Sequence, residues 1–416
     1  MRVQKECLPA MKNEALITPL ASFLEQKPLY YKEIDHERVH QAYAMLKPHI
    51  NHPQTVHVVG TNGKGSTGRM MAYLAWRKGM EDGRWKMEDE KCPFSVGHYS
   101  SPHILKFNER IWLDGDDASD EVLEAAHRKL FSVLGEAMAD ALSYFEYTTL
   151  LALVVFEKCD LMVLEAGLGG EYDATNVCDK ALSVITPIGI DHQAFLGDSI
   201  EEIAVTKIRS IQKKALLAPQ PYDEVVEVVK RIAKEKNAEL FRVQGSGFSV
   251  QEMIQLDEIA KAKGWPGYLI ENAKVALRAL DILDIKYSID DLKTLELFGR
   301  FYPLSENIRI DVGHNPLAAK AIVASMKPET VLIYNSLDDK DYEAVLRILK
   351  PKTKRVEIIP IASQRATTIE AIEAALKRVG IDYSMFEGKM DPKEHYLVFG
   401  SFYTVEAFLK RIKSEK

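Results

Sequence analysis

The stretch that most constrains this chain is Thr55-Val56-His57-Val58-Val59-Gly60-Thr61-Asn62-Gly63-Lys64-Gly65-Ser66-Thr67. An apolar, β-branched run feeds a glycine-rich loop, and helix-forming residues follow over 69–78. The pattern reads as strand, phosphate loop, helix. A phosphate carries dense negative charge, so it needs donors that come close without side chains in the way. Gly60, Gly63 and Gly65 let backbone N–H groups approach, and the following helix adds the positive end of its dipole. Lys64 has the length to reach terminal phosphates, and Ser66 can place a hydroxyl on a magnesium ion. The spacing departs from G-x-x-x-x-G-K-[ST], because a glycine sits between the lysine and the serine. A glycine-rich turn with one exposed lysine is the plainer alternative. The strand before it and the helix after it favour nucleotide binding.

With 416 residues the chain is long enough for two or more domains. Its 46% hydrophobic and 28% charged residues are ordinary for a soluble globular protein. Lys+Arg 54 against Asp+Glu 61 gives −7 and no basic stripe, which argues against a nucleic-acid partner. Cys7, Cys92, Cys159 and Cys178 form no C-x-x-C pair and no zinc spacing, so they read as reduced thiols used in packing. Residues 1–20 lack a signal-type apolar core, Met11 offers an alternative start, and the apolar run 150–156 is too short for a bilayer. The expected location is the cytoplasm, with no membrane partner.

In chain order, 21–50 reads as largely helical, with a turn at Lys27-Pro28 and Asp35 as a helix N-cap. The charged 79–91 segment reads as a surface loop or hairpin. A short strand before Ser100-Ser101-Pro102-His103, the buried strand 161–164 ending at Glu165, and the strand 182–185 leading to Asp191-His192 each place polar groups at a strand end. In a doubly wound sheet that is where ligands sit, and an acidic residue there, beside a phosphate loop, holds magnesium. Residues 118–141, 143–158, 249–260 and 271–283 read as helices, the last amphipathic, and Ser199 with Glu202 opens another that carries Lys207. From Ile308 the strand–helix alternation restarts and runs to the end. The fold class expected is therefore α/β: a P-loop N-terminal domain with a mainly parallel sheet over 1–297, plus a smaller Rossmann-like α/β C-terminal domain over 298–416, hinged at 298–301.

Seven motifs occur in one order: Gly60-Thr61-Asn62-Gly63-Lys64-Gly65-Ser66, Ser100-Ser101-Pro102-His103, Phe107-Asn108-Glu109-Arg110, Leu164-Glu165-Ala166-Gly167-Leu168-Gly169-Gly170, Asp173-Ala174-Thr175-Asn176, Asp191-His192, and Asp311-Val312-Gly313-His314-Asn315-Pro316. In this order the chain resembles the folylpolyglutamate synthase family, often bifunctional in bacteria as dihydrofolate synthase, of the Mur ligase superfamily. The resemblance covers nearly the whole chain. It implies an ATP-dependent ligase in which a substrate carboxylate becomes an acyl phosphate and the amine of L-glutamate displaces the phosphate. The substrates implied are folate or dihydropteroate with L-glutamate, and the state expected is a monomer.

By the same resemblance Asn62, Gly63, Lys64, Gly65, Ser66, Thr67, Asn272, Arg300 and Asp311 match nucleotide-binding positions. Ser66, Ser101 and Glu165 match the surroundings of one Mg2+, and Glu165 with His192 those of a second. Lys207 matches a lysine carried in carbamylated form, and Lys64, Lys207 and His192 are the catalytic candidates. Asp35, His36, Ser143, Tyr144, Phe145, Glu146, Tyr172, Asp173 and Ala174 match substrate contacts. The chain departs from the family pattern at Glu171, where arginine is common, at Thr206-Lys207-Ile208-Arg209, where Glu-Lys-Ala-Gly is usual, and at Asp35-His36, where Gly-Leu is usual. Two other readings are a Mur-type ligase for another acid and amino acid, and a nucleotide-binding regulatory protein without ligase activity.

Overall fold

The structure, a computed structural model, describes residues 17–28, 35–81, 94–243 and 247–413. Met11, Cys7, Cys92 and most of the charged 79–91 segment lie outside these residues. Two compact units form, one from 1–51 with 119–155 and the other from 52–118 with 156–416.

The first unit is helical. Asp35 caps the helix His36–Leu46 as expected, its Oδ1 accepting from the N–H groups of Glu37 (2.9 Å) and Arg38 (3.2 Å). Helix Asp120–Ala141 kinks at Gly135, whose φ of 70° breaks the helical run. Helix Tyr144–Val155 is apolar almost all round and buries every residue from Tyr147 to Val154, so it forms the unit's centre. Arg38 and Glu146 tie two of these helix starts together in a two-pronged ion pair (2.9–3.1 Å), and Glu146 Oε2 also accepts from Ser143 N–H at 2.7 Å. Lys27 is buried and donates to the carbonyls of Ala139 and Asp140, at the end of helix Asp120–Ala141. Burial lowers its pKa to about 8.

The second unit holds two sheets. Its strands are β1 (Gln54–Val59), β2 (Val96–Tyr99), β3 (Ile111–Leu113), β4 (Asp116–Asp117), β5 (Leu161–Glu165), β6 (Leu182–Ile185), β7 (Lys214–Leu217), β8 (Glu239–Arg242), β9 (Tyr302–Pro303), β10 (Ile308–Ile310), β11 (Thr330–Tyr334), β12 (Thr353–Ile358), β13 (Tyr383–Met385) and β14 (Tyr396–Phe399). Among the described residues the larger sheet runs β4-β3-β2-β5-β1-β6-β7-β8 and the smaller β13-β12-β11-β14-β10-β9. The expected α/β class is the one found. The antiparallel edges, β2-β3-β4 in one sheet and β9 on β10 in the other, are additions to the expected parallel pattern. The boundary expected at 297/298 falls between the two sheets, inside this unit.

Register decides what meets what. Val58 pairs with Glu165 across β1 and β5, and Val59 with Ile185 across β1 and β6. The glycine loop, Glu165 and the turn from Thr186 therefore leave the sheet side by side, and β1 lies where connections depart in both directions. The helix after the loop begins at Lys64, five residues earlier than its side chains suggest, and runs to Glu81. Helix Gly267–Ile282 packs on it and buries Leu269, Ala273, Ala276, Leu277 and Leu280. That contact brings Asn272 up to the loop.

Candidate active site

The loop after β1 is braced from β6: the N–H groups of Thr61 and Asn62 both donate to Pro187 O (2.9 and 3.1 Å). The first helical bond is Thr67 N–H to Gly63 O at 2.9 Å. The first-turn N–H groups of Lys64, Gly65 and Ser66 thus lack helical partners, and all three residues line a cavity of about 260 Å³. Lys64 Nζ rests on its own loop, 3.2 Å from Gly60 O and 3.3 Å from Thr61 O, and 3.9 Å from Glu165 Oε1.

The unusual glycine is closely approached by two side chains. A Cβ at Gly65 would come within 3.1 Å of Glu165 Oε2 and 3.3 Å of Arg300 Nη2. At Gly63, with φ +87°, a Cβ would lie 2.7 Å from Asn272 Oδ1. Asn272 is buried and donates to Ser66 Oγ at 2.7 Å, orienting that hydroxyl.

Around the same cavity stand Asn62, Ser101, Glu165, His192, Lys207, Arg300 and Asp311. Twelve of the expected nucleotide, metal and catalytic residues therefore meet in one place. Thr67 is the exception: it is fully buried beneath the loop, with its hydroxyl unpartnered among the described residues. Asp311 is held from three sides, by Tyr268 OH and Phe301 N–H on Oδ2 (both 2.8 Å) and Gly313 N–H on Oδ1 (2.7 Å). Arg300 stacks over the Phe402 ring at 5.2 Å.

Electrostatics sorts these groups. Burial raises the Glu165 pKa, with Lys64 and Arg300 acting against it. A buried carboxylate whose nearest cation is 3.9 Å away, with Ser66 and Ser101 lining the same cavity, fits one divalent cation. Burial lowers the Lys207 pKa to about 7, with Lys64 adding to the effect, and its Nζ donates to Gly60 O at 3.1 Å. Burial likewise lowers His192 to about 4, so its ring is neutral near pH 7. His192 Nε2 lies 3.5 Å from Lys340 Nζ, so a second cation fits there only if the ring leaves that ammonium.

The expected substrate contacts divide between the units. Asp35, His36 and Ser143 to Glu146 belong to the first unit, and Tyr172, Asp173 and Ala174 to the second. Asp173 spends its carboxylate on its own loop, accepting from Leu168 N–H (2.8 Å), Thr175 N–H (3.0 Å) and Thr175 Oγ1 (2.5 Å). Tyr172 is exposed. Two of the departures from the family pattern face each other: Arg209 Nη1 stands 3.7 Å from Glu171 Oε2.

Sequence reasoning passed over Lys340 and Tyr268, and gave Asn315 no role beyond its place in the Asp311–Pro316 motif. Lys340 is buried and its Nζ donates to Asp191 Oδ1 at 2.6 Å, while Asn315 donates to Asp191 Oδ2 at 3.1 Å. The only local signal for Lys340 is a polar turn, Asp338-Asp339-Lys340-Asp341, with three residues between it and the apolar strand before it.

No family model matches the chain. A curated Escherichia coli relative, "Dihydrofolate synthase/folylpolyglutamate synthase", is 32% identical over 434 residues, covering 96% of this chain and 97% of its own. The solved structure of Helicobacter pylori folylpolyglutamate synthetase is 40% identical, with a TM-score of 0.75 over 95% of this chain and 98% of that one. A solved bifunctional folylpolyglutamate synthase/dihydrofolate synthase with Mn, AMPPNP and L-glutamate bound is 26% identical, with a TM-score of 0.76 over 95% and 98%. At that identity and coverage, and with the glycine loop, Glu165, His192 and Lys207 brought to one cavity, the chain belongs to the dihydrofolate synthase/folylpolyglutamate synthase family of ATP-dependent ligases.

Proposed function

We propose that this chain joins L-glutamate to folate, and to 7,8-dihydropteroate, at the cavity above the glycine loop. The observation that carries the reading is the convergence of phosphate-loop donors, a buried carboxylate, a low-pKa lysine and a neutral imidazole around one space that residues of both sheets line. First-turn N–H groups and Lys64 bind the phosphates. Ser66, Ser101 and Glu165 would hold a magnesium ion, which when bound offsets charge on the transferring phosphoryl group. Glu165 and His192 are the candidates for a second.

The substrate carboxylate oxygen bonds to the γ-phosphorus as the bond to ADP breaks. The glutamate amine then attacks the carbonyl carbon, the C–O bond to phosphate breaks, and the amine proton passes to water or the released phosphate. Lys207, whose amine is partly neutral near pH 7, is suited to react with carbon dioxide, and carbamylation would turn it into an anion among cations. Asn272, Arg300 and Asp311 hold the nucleotide, and among the second unit's candidates for the acid substrate Tyr172 has its side chain exposed. The working lobes are 1–297 and 298–416, and closure about 298–301 completes the site. The enzyme acts as a monomer, and ATP and reduced folates as substrates support a cytoplasmic location.

The test is glutamate-dependent ADP release by purified protein with dihydropteroate, tetrahydrofolate and Mur precursors. Turnover with the first two is expected. Turnover with a Mur precursor alone would overturn the folate reading, and nucleotide binding without ligation of any acid would leave a regulatory protein.

A further inference from the structure

Asp191 sits in the turn after β6 and is buried, yet four groups from three elements reach it. Its Oδ1 accepts from Lys340 Nζ at 2.6 Å and from the N–H of His192 at 2.9 Å. Its Oδ2 accepts from Asn315 Nδ2 at 3.1 Å and faces His314 Nε2 at 3.6 Å. Lys340 and Asn315 come from the smaller sheet's connections, whereas Asp191 belongs to the larger sheet's. Asn315 also meets Asn62 of the glycine loop, amide to amide, at 3.0 Å. Lys340 is held at its own backbone, its N–H donating to Leu337 O (3.1 Å), and Asp338 N–H donates to Arg365 O (2.9 Å). The ammonium therefore comes from a braced turn.

What it braces is conformationally costly. His192 has φ 55° and ψ 38°, in the left-handed region that residues with a Cβ adopt uncommonly and at some cost in energy. The Asp191 carboxylate holds it there by accepting the His192 N–H, and Lys340 fixes that carboxylate. We infer that Lys340 is a positioning residue for the ligation: through Asp191 it sets the His192 turn, so that strand end is in place only when the smaller sheet's turn is seated. This rests on the ligase reading above. A buried pair that loses one partner leaves an uncompensated charge, so the effect of removing Lys340 should be large.

The experiment compares wild type with Lys340→Met and Lys340→Arg in three readouts: steady-state ligation, AMPPNP binding, and hydrogen exchange of the peptide spanning 188–193. For Lys340→Met, kcat is expected to fall about 10²-fold, the cost of a small misplacement of reacting groups. AMPPNP affinity should stay within about threefold, since the phosphate-loop donors remain. Exchange over 188–193 should quicken at least tenfold, and Lys340→Arg should recover part of both losses. Unchanged kcat and unchanged exchange overturn the inference. So does a parallel loss of AMPPNP affinity with a lowered melting temperature, which marks a merely structural lysine. If Lys340→Met does not fold, Lys340→Gln carries the same comparison. Should wild type ligate nothing, the ligase reading fails, and the exchange measurement still decides whether Lys340 holds the turn.

Discussion

Replacing Gly63 with alanine tests the loop through a contact that can be counted. Gly63 has φ +87°, and holding a residue with a Cβ there costs about 1–2 kcal/mol. The new Cβ would lie 2.7 Å from Asn272 Oδ1, so the amide must move. It then gives up its 2.7 Å bond to Ser66 Oγ, and an unsatisfied buried group costs about 1–3 kcal/mol. The sum is about 2–5 kcal/mol, or roughly 30- to 5,000-fold in an equilibrium constant. If the loop keeps its shape the cost is read as lost folding stability, and if it relaxes, as lost nucleotide affinity. Urea unfolding of the free protein and AMPPNP titration of the same sample together capture both. Asn272→Ala separates the two contributions, because it deletes the amide that the new methyl would strike. The double variant should then lose less than the sum of the single variants, by about 0.5–3 kcal/mol. Strict additivity, or a Gly63→Ala protein within about 0.5 kcal/mol of wild type in both assays, would refute the packing argument.

Lys64→Ala should reduce kcat by about 10²–10³-fold and weaken nucleotide binding, since it removes the loop's own cation; an unaltered rate counts against that role. Lys207→Ala should abolish glutamate-dependent ADP release, with short carboxylates such as acetate restoring part of it. Intact mass spectrometry of active wild type should show one added carbon dioxide, and a plain amine in active enzyme would refute the carbamate. Lys27, with a folded pKa of about 8 against an ordinary 10.5, binds fewer protons folded than unfolded between those values. Stability should therefore rise with pH over that window, and Lys27→Met should flatten this rise in urea titrations at pH 7.5 to about 10.5. An identical slope in the two proteins would show that burial does not perturb the amine.

The residues around the glycine loop show where local sequence suffices. The β-branched run 55–59, the Asp35 cap and the Ser199–Glu202 capping box were all legible, because each depends on neighbours within four or five positions. So were the polar strand ends at Ser101, Glu165 and His192, since a doubly wound sheet gathers its strand tips whatever the intervening lengths. The hairpin β3-β4 was not, because Asp116-Asp117 carries no apolar alternation and pairs only with β3, which itself takes the edge of β2. The division of the helices into a unit of 1–51 with 119–155 was equally silent, since it depends on contacts between segments about seventy residues apart.

The chain's order of motifs determined the class of chemistry, the residues proposed to touch phosphate and metal, and the strands that carry them. Only the tertiary structure decided what Gly65 faces, with Glu165 Oε2 3.1 Å and Arg300 Nη2 3.3 Å from where a Cβ would stand, and that Lys340 reaches Asp191. Lys340 meets Asp191 across 149 positions of sequence. A buried ion pair at that separation leaves no periodicity or spacing to read, because its partners are chosen by how two sheets pack and not by anything either residue's neighbours specify.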